Sequence, residues 1–389
     1  MPYLPLWLVI GSTAIDGVVA GLALFLARTR RGTDRTPPIG VGRLLVATGA
    51  TSAGFLVKAK ILQRFGLHLF GWIHLAYIDL VILVPAIGLT LLAAHSWAPE
   101  GRSWRTSTKA VRLGALASPI LALIGFHATW IEPFRLQVES ARLAVPGREG
   151  KATVRIGVLT DLQTDGVAGH ERRAVDLLME QDPDLILLPG DVFQGTAEQF
   201  GATRSALVDL LGRLKAPGGV YLVLGDTDGT GEHLRKVLDL AGIRLLVNDV
   251  ARVSVGGRRL AIGGVELNHG GAPAREVIRR LEAEGDQGEV RILLAHRPDV
   301  ALGLRPGSRV DLVVAWHTHG GQVVVPWFGP PVVLSAVPRV VAAGGLHQIA
   351  GNPIYVSRGV GSERGQAPRI RFLCPPEVSL ILLGSDSAH

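Results

Sequence analysis

Five short polar stretches carry the residue types from which hydrolytic chemistry is built. They are Thr160-Asp161-Leu162-Gln163-Thr164-Asp165, Pro189-Gly190-Asp191, Leu224-Gly225-Asp226-Thr227-Asp228, Leu294-Ala295-His296-Arg297-Pro298 and Val314-Ala315-Trp316-His317-Thr318-His319-Gly320-Gly321-Gln322. Each follows a short apolar run and so reads as the end of a strand. Taken singly, an Asp after a strand is a turn residue or helix cap, and a His there is a hydrogen-bonded structural group. Five such ends delivering carboxylates or imidazoles to one edge point instead to a shared site, because ligands of open α/β sheets gather beyond the carboxyl ends of strands. The His-x-His pair predicts two imidazoles on one face of extended chain, with Gly320-Gly321 letting the backbone turn closely beneath them. Oxygen and imidazole donors without thiolate suit Mn, Fe or Zn. One Asp shared by two such ions makes a clamp for phosphoryl oxygens.

The apolar runs behind these ends predict buried strands at Val154–Leu159, Leu185–Leu188, Val220–Leu224, Ile292–Leu294 and Leu312–Val314. Between them, Glu171–Gln181, Ala197–Leu214, Glu232–Leu240 and Ala274–Glu284 have helical spacing. Arg244–Leu267 reads as consecutive strands joined by a turn at Gly256-Gly257. The pattern is that of an α/β sheet-and-helix sandwich.

The order and spacing of the polar stretches resemble the calcineurin-like metallophosphoesterase superfamily, whose pattern is Asp-x-His, Gly-Asp-x-x-Asp, Gly-Asn-His-Asp/Glu, His and Gly-His-x-His. Tyr355-Val356-Ser357-Arg358-Gly359-Val360-Gly361 and Pro375-Pro376-Glu377-Val378 resemble its bacterial membrane-anchored branch. The resemblance covers about Val154 to Leu383. It implies two stacked mixed sheets flanked by helices, two divalent metal ions (Mn, Fe or Zn), and hydrolysis of a phosphomono- or diester by a metal-bridging hydroxide. By position it gives Asp161, Gln163, Asp191 and His319 to one ion and Asp191, Asp226, His296 and His317 to the other, with Asp191 bridging.

Several positions depart from that pattern. Gln163 stands where the family has His and offers a weaker donor. Asp226 stands where it has Asn, which adds negative charge. Thr227 replaces a His thought to protonate the leaving group or touch the phosphate, and a hydroxyl is no acid near neutral pH. Gln194 replaces the last Asp of the second motif. Trp316 replaces a Gly and either crowds the cavity or walls it. His233 and His269 are alternative acids, each also readable as a surface loop histidine. Arg358 is a candidate phosphate contact or a structural hydrogen-bond donor. Thr227, His269 and Arg358 are thus the candidate substrate-binding residues, and Cys374 reads as a buried small apolar residue.

The first third has a different texture. Four windows, about Leu4–Ala27, Ile39–Val57, Leu69–Ala94 and Val111–Ile131, are apolar over the roughly 20 residues a membrane span needs. The division expected is residues 1–133 as an anchor of about four transmembrane helices and 134–389 as the metallophosphoesterase domain. The first window lacks a basic leading region and is followed by its Arg cluster, so it reads as a retained anchor and not as a signal peptide. Arg28, Arg30, Arg31, Arg35 and Arg43 in loop one and Arg102, Arg105, Lys109 and Arg112 in loop three outnumber Lys58, Lys60 and Arg64 in loop two. Positive charge stays inside, so both termini are expected outside the cytoplasmic membrane. Asp16, His74 and Asp79 fall within apolar windows, where they either pair inside the bundle or serve a function.

Across the 389 residues, 48 % are hydrophobic and 19 % charged, which excludes a disordered chain. A single Cys excludes a disulfide framework or thiolate zinc cluster. The net charge of +7 lies mostly beside apolar stretches, so a lipid bilayer is the expected partner and nucleic acid is not. The substrate expected with such an anchor is a lipid-linked or envelope phosphoester. Two other readings stay open: a catalytically silent metal- or phosphate-binding sensory domain, and a transporter-like bundle using Asp16, His74 and Asp79.

Overall fold

A computed structural model describes residues 4–29, 41–97, 109–145, 152–228, 232–283 and 288–384. The chain divides into two units, Met1–Thr129 with Arg364–Arg369, and Trp130–Glu363 with Ile370–His389.

The first unit is helical: α1 (Leu6–Thr29), α2 (Val41–Gln63), α3 (Leu69–Ile78), α4 (Val84–Trp97), α5 (Lys109–Ala117) and α6 (Pro119–Phe126). A π-turn at Asp79–Leu83 joins α3 to α4 just ahead of Pro85, where the ring removes a helical hydrogen bond. Four stretches, Leu6–Leu26, Val41–Gln63, Leu69–Trp97 and Val111–Phe134, are long and apolar enough to cross a membrane. Glycines allow close approach: a Cβ on Gly125 would lie 2.7 Å from Val81, and one on Gly88 would overlap Ser118. Asp16, almost wholly buried, pairs with Lys58, whose Nζ also donates to the Ser12 carbonyl (3.2 Å). Lys58 and Lys60 lie inside α2 and not in loop two, because the helix runs to Gln63. By the same measure Arg28 lies in α1, Arg43 in α2, and Lys109 and Arg112 in α5, so all three loops carry less positive charge than expected. Arg30, Arg31, Arg35, Arg102 and Arg105 lie outside the described residues. His74 Nδ1 hydrogen-bonds the Gln366 carbonyl (3.1 Å), and Gln366 also bonds His68 N (2.7 Å) and the Gly66 carbonyl (2.8 Å).

Among the described residues, the second unit holds twelve strands in two sheets and five α-helices. In chain order the elements are β1 (Gln137–Ala144), β2 (Val154–Val158), α7 (Gly169–Met179), β3 (Leu185–Leu188), α8 (Ala197–Leu211), β4 (Val220–Leu222), α9 (Glu232–Ala241), β5 (Arg244–Leu245), β6 (Asp249–Val255), β7 (Arg258–Gly264), α10 (Ala272–Ala283), β8 (Val290–Leu294), β9 (Leu312–Ala315), α11 (Arg339–Ala342), β10 (Gly345–Ile349), β11 (Asn352–Val356) and β12 (Glu377–Gly384). One sheet runs β1-β12-β2-β3-β4-β5 and the other β10-β11-β9-β8-β7-β6. Both are mixed: β12–β2, β6–β7 and β10–β11 are antiparallel and the other pairs parallel. The β6–β7 hairpin turns at Gly256-Gly257, with φ of 58° and 72°, the conformation the Gly-Gly pair was expected to supply.

Alternation along the central strands builds the layers. Leu185 and Leu187 join Ile156, Ile262, Ile292 and Val314 between the sheets, while Ile186 and Leu188 pack outward with α7, α8 and α9. On the far side, Leu293, Val313 and Ala315 pack outward with α10 and α11. The registers Val158↔Leu187, Leu188↔Leu222 and Leu294↔Val314 bring five strand ends level, so the loops that follow open at one edge.

Candidate metal centre

Asp161, Gln163, Asp191, Asp226, His296, His317 and His319 all lie just past those level strand ends. Five of the seven hold left-handed backbone: Asp161 (φ 52°), Gln163 (37°), Asp191 (56°), His317 (76°) and His319 (50°). Such conformations cost energy for non-glycine residues and collect where a site demands them. Hydrogen bonds between neighbouring loops hold them: Asp161 N to Gly190 O (3.3 Å) and Gln163 N to Asp191 O (2.9 Å). Both Gly-Asp pairs have a packing reason. A Cβ on Gly225 would sit 2.1 Å from Asp191 Oδ1, and one on Gly190, at φ 104°, 2.4 Å from Gly225 N.

Asp226, His296 and His317 form a possible metal site, with one donor atom from each lying within 4.8 Å of the others. Asp226 Oδ2 is 3.2 Å from His296 Nε2 and 2.9 Å from His317 Nδ1, and Asp226 Oδ1 accepts from Arg297 (2.5 Å). Burial alone would push the Asp226 carboxyl up, but bonds from His296, His317 and Arg297 hold it far below the usual carboxylate range. The other ring nitrogens bond carbonyls, His296 Nδ1 to Pro189 O (2.9 Å) and His317 Nε2 to Leu334 O (3.2 Å). Those bonds turn Nε2 of His296 and Nδ1 of His317 toward Asp226.

Beside this trio lies a more buried group. Asp161 Oδ2 is 3.5 Å from His319 Nδ1. Both Asp161 oxygens, Gln163 Oε1 and His319 Nδ1 are buried without a hydrogen-bond partner. Burial, then the Asp191 charge, raises the Asp161 pKa well above the ordinary value, and burial lowers His319 to about 4. Asp191 stands between the groups: its Oδ2 accepts from Gln163 Nε2 (3.2 Å) and lies 3.7 Å from His296 Nε2. Buried polar atoms with no partner are costly unless something fills the space between them. The donor set therefore fits hard or borderline divalent cations on both sides of Asp191.

The expectation that His317 and His319 share one face of extended chain does not hold. β9 ends at Ala315, both histidines are left-handed, and Thr318 between them is helical (φ −82°, ψ −12°). The chain turns at each residue, so the imidazoles part, His317 meeting Asp226 and His319 meeting Asp161. The two glycines do lie tight beneath: a Cβ on Gly320 would be 2.6 Å from Cys374 Sγ and one on Gly321 2.2 Å from Pro330. Trp316 is fully buried and meets His319 edge-on at 4.4 Å and His296 at 5.1 Å, so it forms an apolar wall. Cys374 is buried as expected, its Sγ donating to His319 O (3.4 Å).

Among the candidate substrate contacts, Thr227 lies beside Asp191: its N donates to Asp191 Oδ1 (2.8 Å) and its hydroxyl is buried without a hydrogen-bond partner. Arg358 is not brought to the cluster, because its guanidinium is held in ion pairs with Glu377 and with Glu139 (3.0 Å). His269 sits half-buried on the turn after β7 and, among the described residues, contributes no contact to the cluster. His233 is exposed at the start of α9, against Phe200.

Two carboxylates belong to the site without having been singled out. Asp228 accepts from the backbone of Asp191 (2.8 Å), Val192 (2.9 Å) and Gly225 (2.9 Å), pinning both Gly-Asp loops. Glu363 takes a hydrogen bond from Gln194 (3.0 Å) and faces His319 at 3.8 Å. Past the site, the loop carrying Leu334 exposes Val325, Trp327, Phe328, Val332 and Leu334, with Trp327 fully in solvent.

Residues 154–384 match the profile of the Calcineurin-like phosphoesterase family. The metallophosphoesterase YkuE of Bacillus subtilis (strain 168) is 32% identical over 293 residues, covering 70% of this chain and 95% of the relative. Phosphodiesterase YaeI of Escherichia coli (strain K12) is 31% identical over 283 residues, covering 70% of this chain and 97% of the relative. A metallophosphoesterase of Aquifex aeolicus (strain VF5) is 27% identical over 278 residues, covering 68% and 97%. With the strand-end residues, the stacked mixed sheets and these relatives in agreement, the chain belongs to the calcineurin-like phosphoesterase family and is a hydrolase of phosphoesters.

Proposed function

We propose that the protein hydrolyses phosphodiesters at a membrane surface, using two divalent cations. Asp161, Gln163, Asp191 and His319 would hold one, and Asp191, Asp226, His296 and His317 the other. The observation that carries this reading is the position of Asp191 Oδ2 between Gln163 at 3.2 Å and His296 at 3.7 Å, with unpartnered buried donor atoms on the Asp161 side and the converging Asp226, His296 and His317 on the other. Bound there, the cations supply Lewis acidity toward phosphoryl oxygens and acidify water.

The chain's own residues orient the reactants. The carbonyls of Pro189 and Leu334 fix which nitrogen His296 and His317 present. Arg297, paired to Asp226 and 41% exposed, offers further donors to a bound phosphoryl group. Trp316 keeps water from the floor between His296 and His319. The Thr227 hydroxyl can donate to a phosphoryl oxygen but cannot protonate a leaving group near neutral pH. That favours an ester whose leaving group departs without a proton from this position.

Diester preference is supported by the phosphodiesterase among the relatives. Action at a bilayer is supported by the four apolar helices. A lipid-linked substrate is supported by the exposed Trp327 and Phe328 on the loop whose Leu334 bonds His317, since aromatic side chains favour the lipid interface. The Arg-rich first and third loops support an extracytoplasmic catalytic domain on the cytoplasmic membrane. Gln163 and Thr227 support the second reading, a binding domain without turnover.

The test uses the full chain in detergent with Mn added, assayed on an aryl phosphodiester and an aryl phosphomonoester. We expect metal-dependent hydrolysis with the diester faster, falling at least ~10³-fold in His317→Ala, the several kcal/mol that cation stabilisation supplies. Bound Mn with no turnover on either ester would move the assignment to the binding domain.

A further inference from the structure

His296 and His317 each give the nitrogen that faces away from the cluster to a backbone carbonyl. His319 differs. Its Nε2 faces a carboxylate, Glu363 Oε2, at 3.8 Å. Glu363 is itself held at both ends, with Oε1 accepting from Gln194 Nε2 (3.0 Å) and its backbone N donating to Gln322 Oε1 (2.8 Å). The Gln163 amide also reaches this carboxylate, and its Nε2 donates to Asp191 (3.2 Å). The amide nitrogen thus lies between two carboxylates, which leaves Gln163 Oε1 bare.

We propose that Glu363 is the positioning residue of the Asp161 half of the site. It turns His319 so that Nδ1 faces Asp161, and turns Gln163 so that its carbonyl oxygen faces the same space. The inference rests on the two-cation reading above. A carboxylate behind a ligating histidine fixes its tautomer and makes it a stronger donor, and removing such a partner typically costs 10–100-fold in metal affinity. The need is specific here, because a neutral amide at position 163 is a poorer ligand than an imidazole. Glu363 acts through its neighbours and touches neither substrate nor cation.

The experiment strips the full chain in detergent with a chelator and titrates it with Mn, following free Mn by electron paramagnetic resonance. The wild type should bind two ions. Glu363→Ala should weaken one of them about 10–100-fold and leave the other at its wild-type affinity. Glu363→Gln, which keeps an acceptor but loses the charge, should fall between, and it carries the test if the alanine variant does not fold. Thermal unfolding in chelator should match the wild type for Glu363→Gln, which keeps an acceptor for Gln194, whereas Glu363→Ala loses that bond. Two ions held as tightly in both variants as in the wild type would overturn the role of Glu363 and leave the two-cation reading standing. No Mn bound by the wild type would overturn both.

Discussion

The two sides of Asp191 solve the same problem differently. Around Asp226, charges satisfy one another: two imidazoles and Arg297 converge on one carboxylate that is 30% exposed. Around Asp161, four buried donor atoms have no hydrogen-bond partner among the described residues. The first side is organised before anything binds and must give up ion pairs on loading. The second is held in shape by its backbone, with left-handed residues pinned by neighbouring loops, and by the uncharged Gln163 amide and the outlying Glu363, and its free energy falls when a cation arrives. Preorganisation by charge and preorganisation by fold therefore meet at a single shared aspartate.

The contrast can be broken most severely at Gly225, against which Asp191 packs. Gly225→Ala places a Cβ where Asp191 Oδ1 now lies, so both sides should fail together. We expect Mn binding at both positions to weaken, hydrolysis to fall ~10³-fold or more, and stability to drop ~1–3 kcal/mol by overpacking. Metal titration, an aryl diester assay and denaturant unfolding read the three effects.

A smaller effect isolates the Asp161 side through pH. Its carboxyl pKa is raised by burial and by Asp191, so the metal-free fold binds a proton that the unfolded chain releases. Metal-free stability from this group should therefore be greatest below about pH 4 and decline as pH rises toward the elevated value. His319 works in the opposite sense: lowered to about 4, its contribution is complete above roughly pH 6.5 and fades as pH falls through 4. Adding Mn at about 100 times its Kd should raise the melting temperature by roughly 5–10 °C. Protons compete with Mn for the raised Asp161 carboxyl, so more Mn should be needed for the same rise as pH falls. A Mn requirement independent of pH would contradict the raised Asp161 carboxyl.

The smallest change sharpens the other side. Asp226→Asn keeps one oxygen toward His296 and His317 but frees Arg297 from its ion pair. Mn should bind up to about tenfold more weakly at one position, as one ligand charge is lost. KM for an anionic diester should fall, because less negative charge opposes it. Steady-state kinetics at saturating Mn separate the two effects.

Much of this was legible before any coordinates. Strands with level ends advertise themselves as short Val/Ile/Leu runs followed by Gly-Asp or His, so β2, β3, β4, β8, β9 and their loops could be placed. The rest depends on distance along the chain. β1 shows no clean alternation and is fixed only by pairing with β12, 240 residues later (Gln137↔Glu377). Glu363 lies far from Gln163 in sequence, and no motif spacing links them. Arg358 looks available in a Ser-Arg-Gly loop, but Glu139 and Glu377 claim it from two different strands. Periodicity assumes extended chain and so misjudged the His-x-His turn, where the backbone is left-handed twice within three residues.

The polypeptide passes between its two units at Thr129–Trp130, again at Glu363–Arg364 and once more at Arg369–Ile370. Six late residues thus belong with the helices, where Gln366 answers Gly66, His68 and His74. The enzymatic unit is consequently interrupted in sequence by six residues that belong to the other unit. Grafting it onto a foreign anchor would take two splices instead of one, and a single cut after Thr129 would strand a hexapeptide whose hosts had gone.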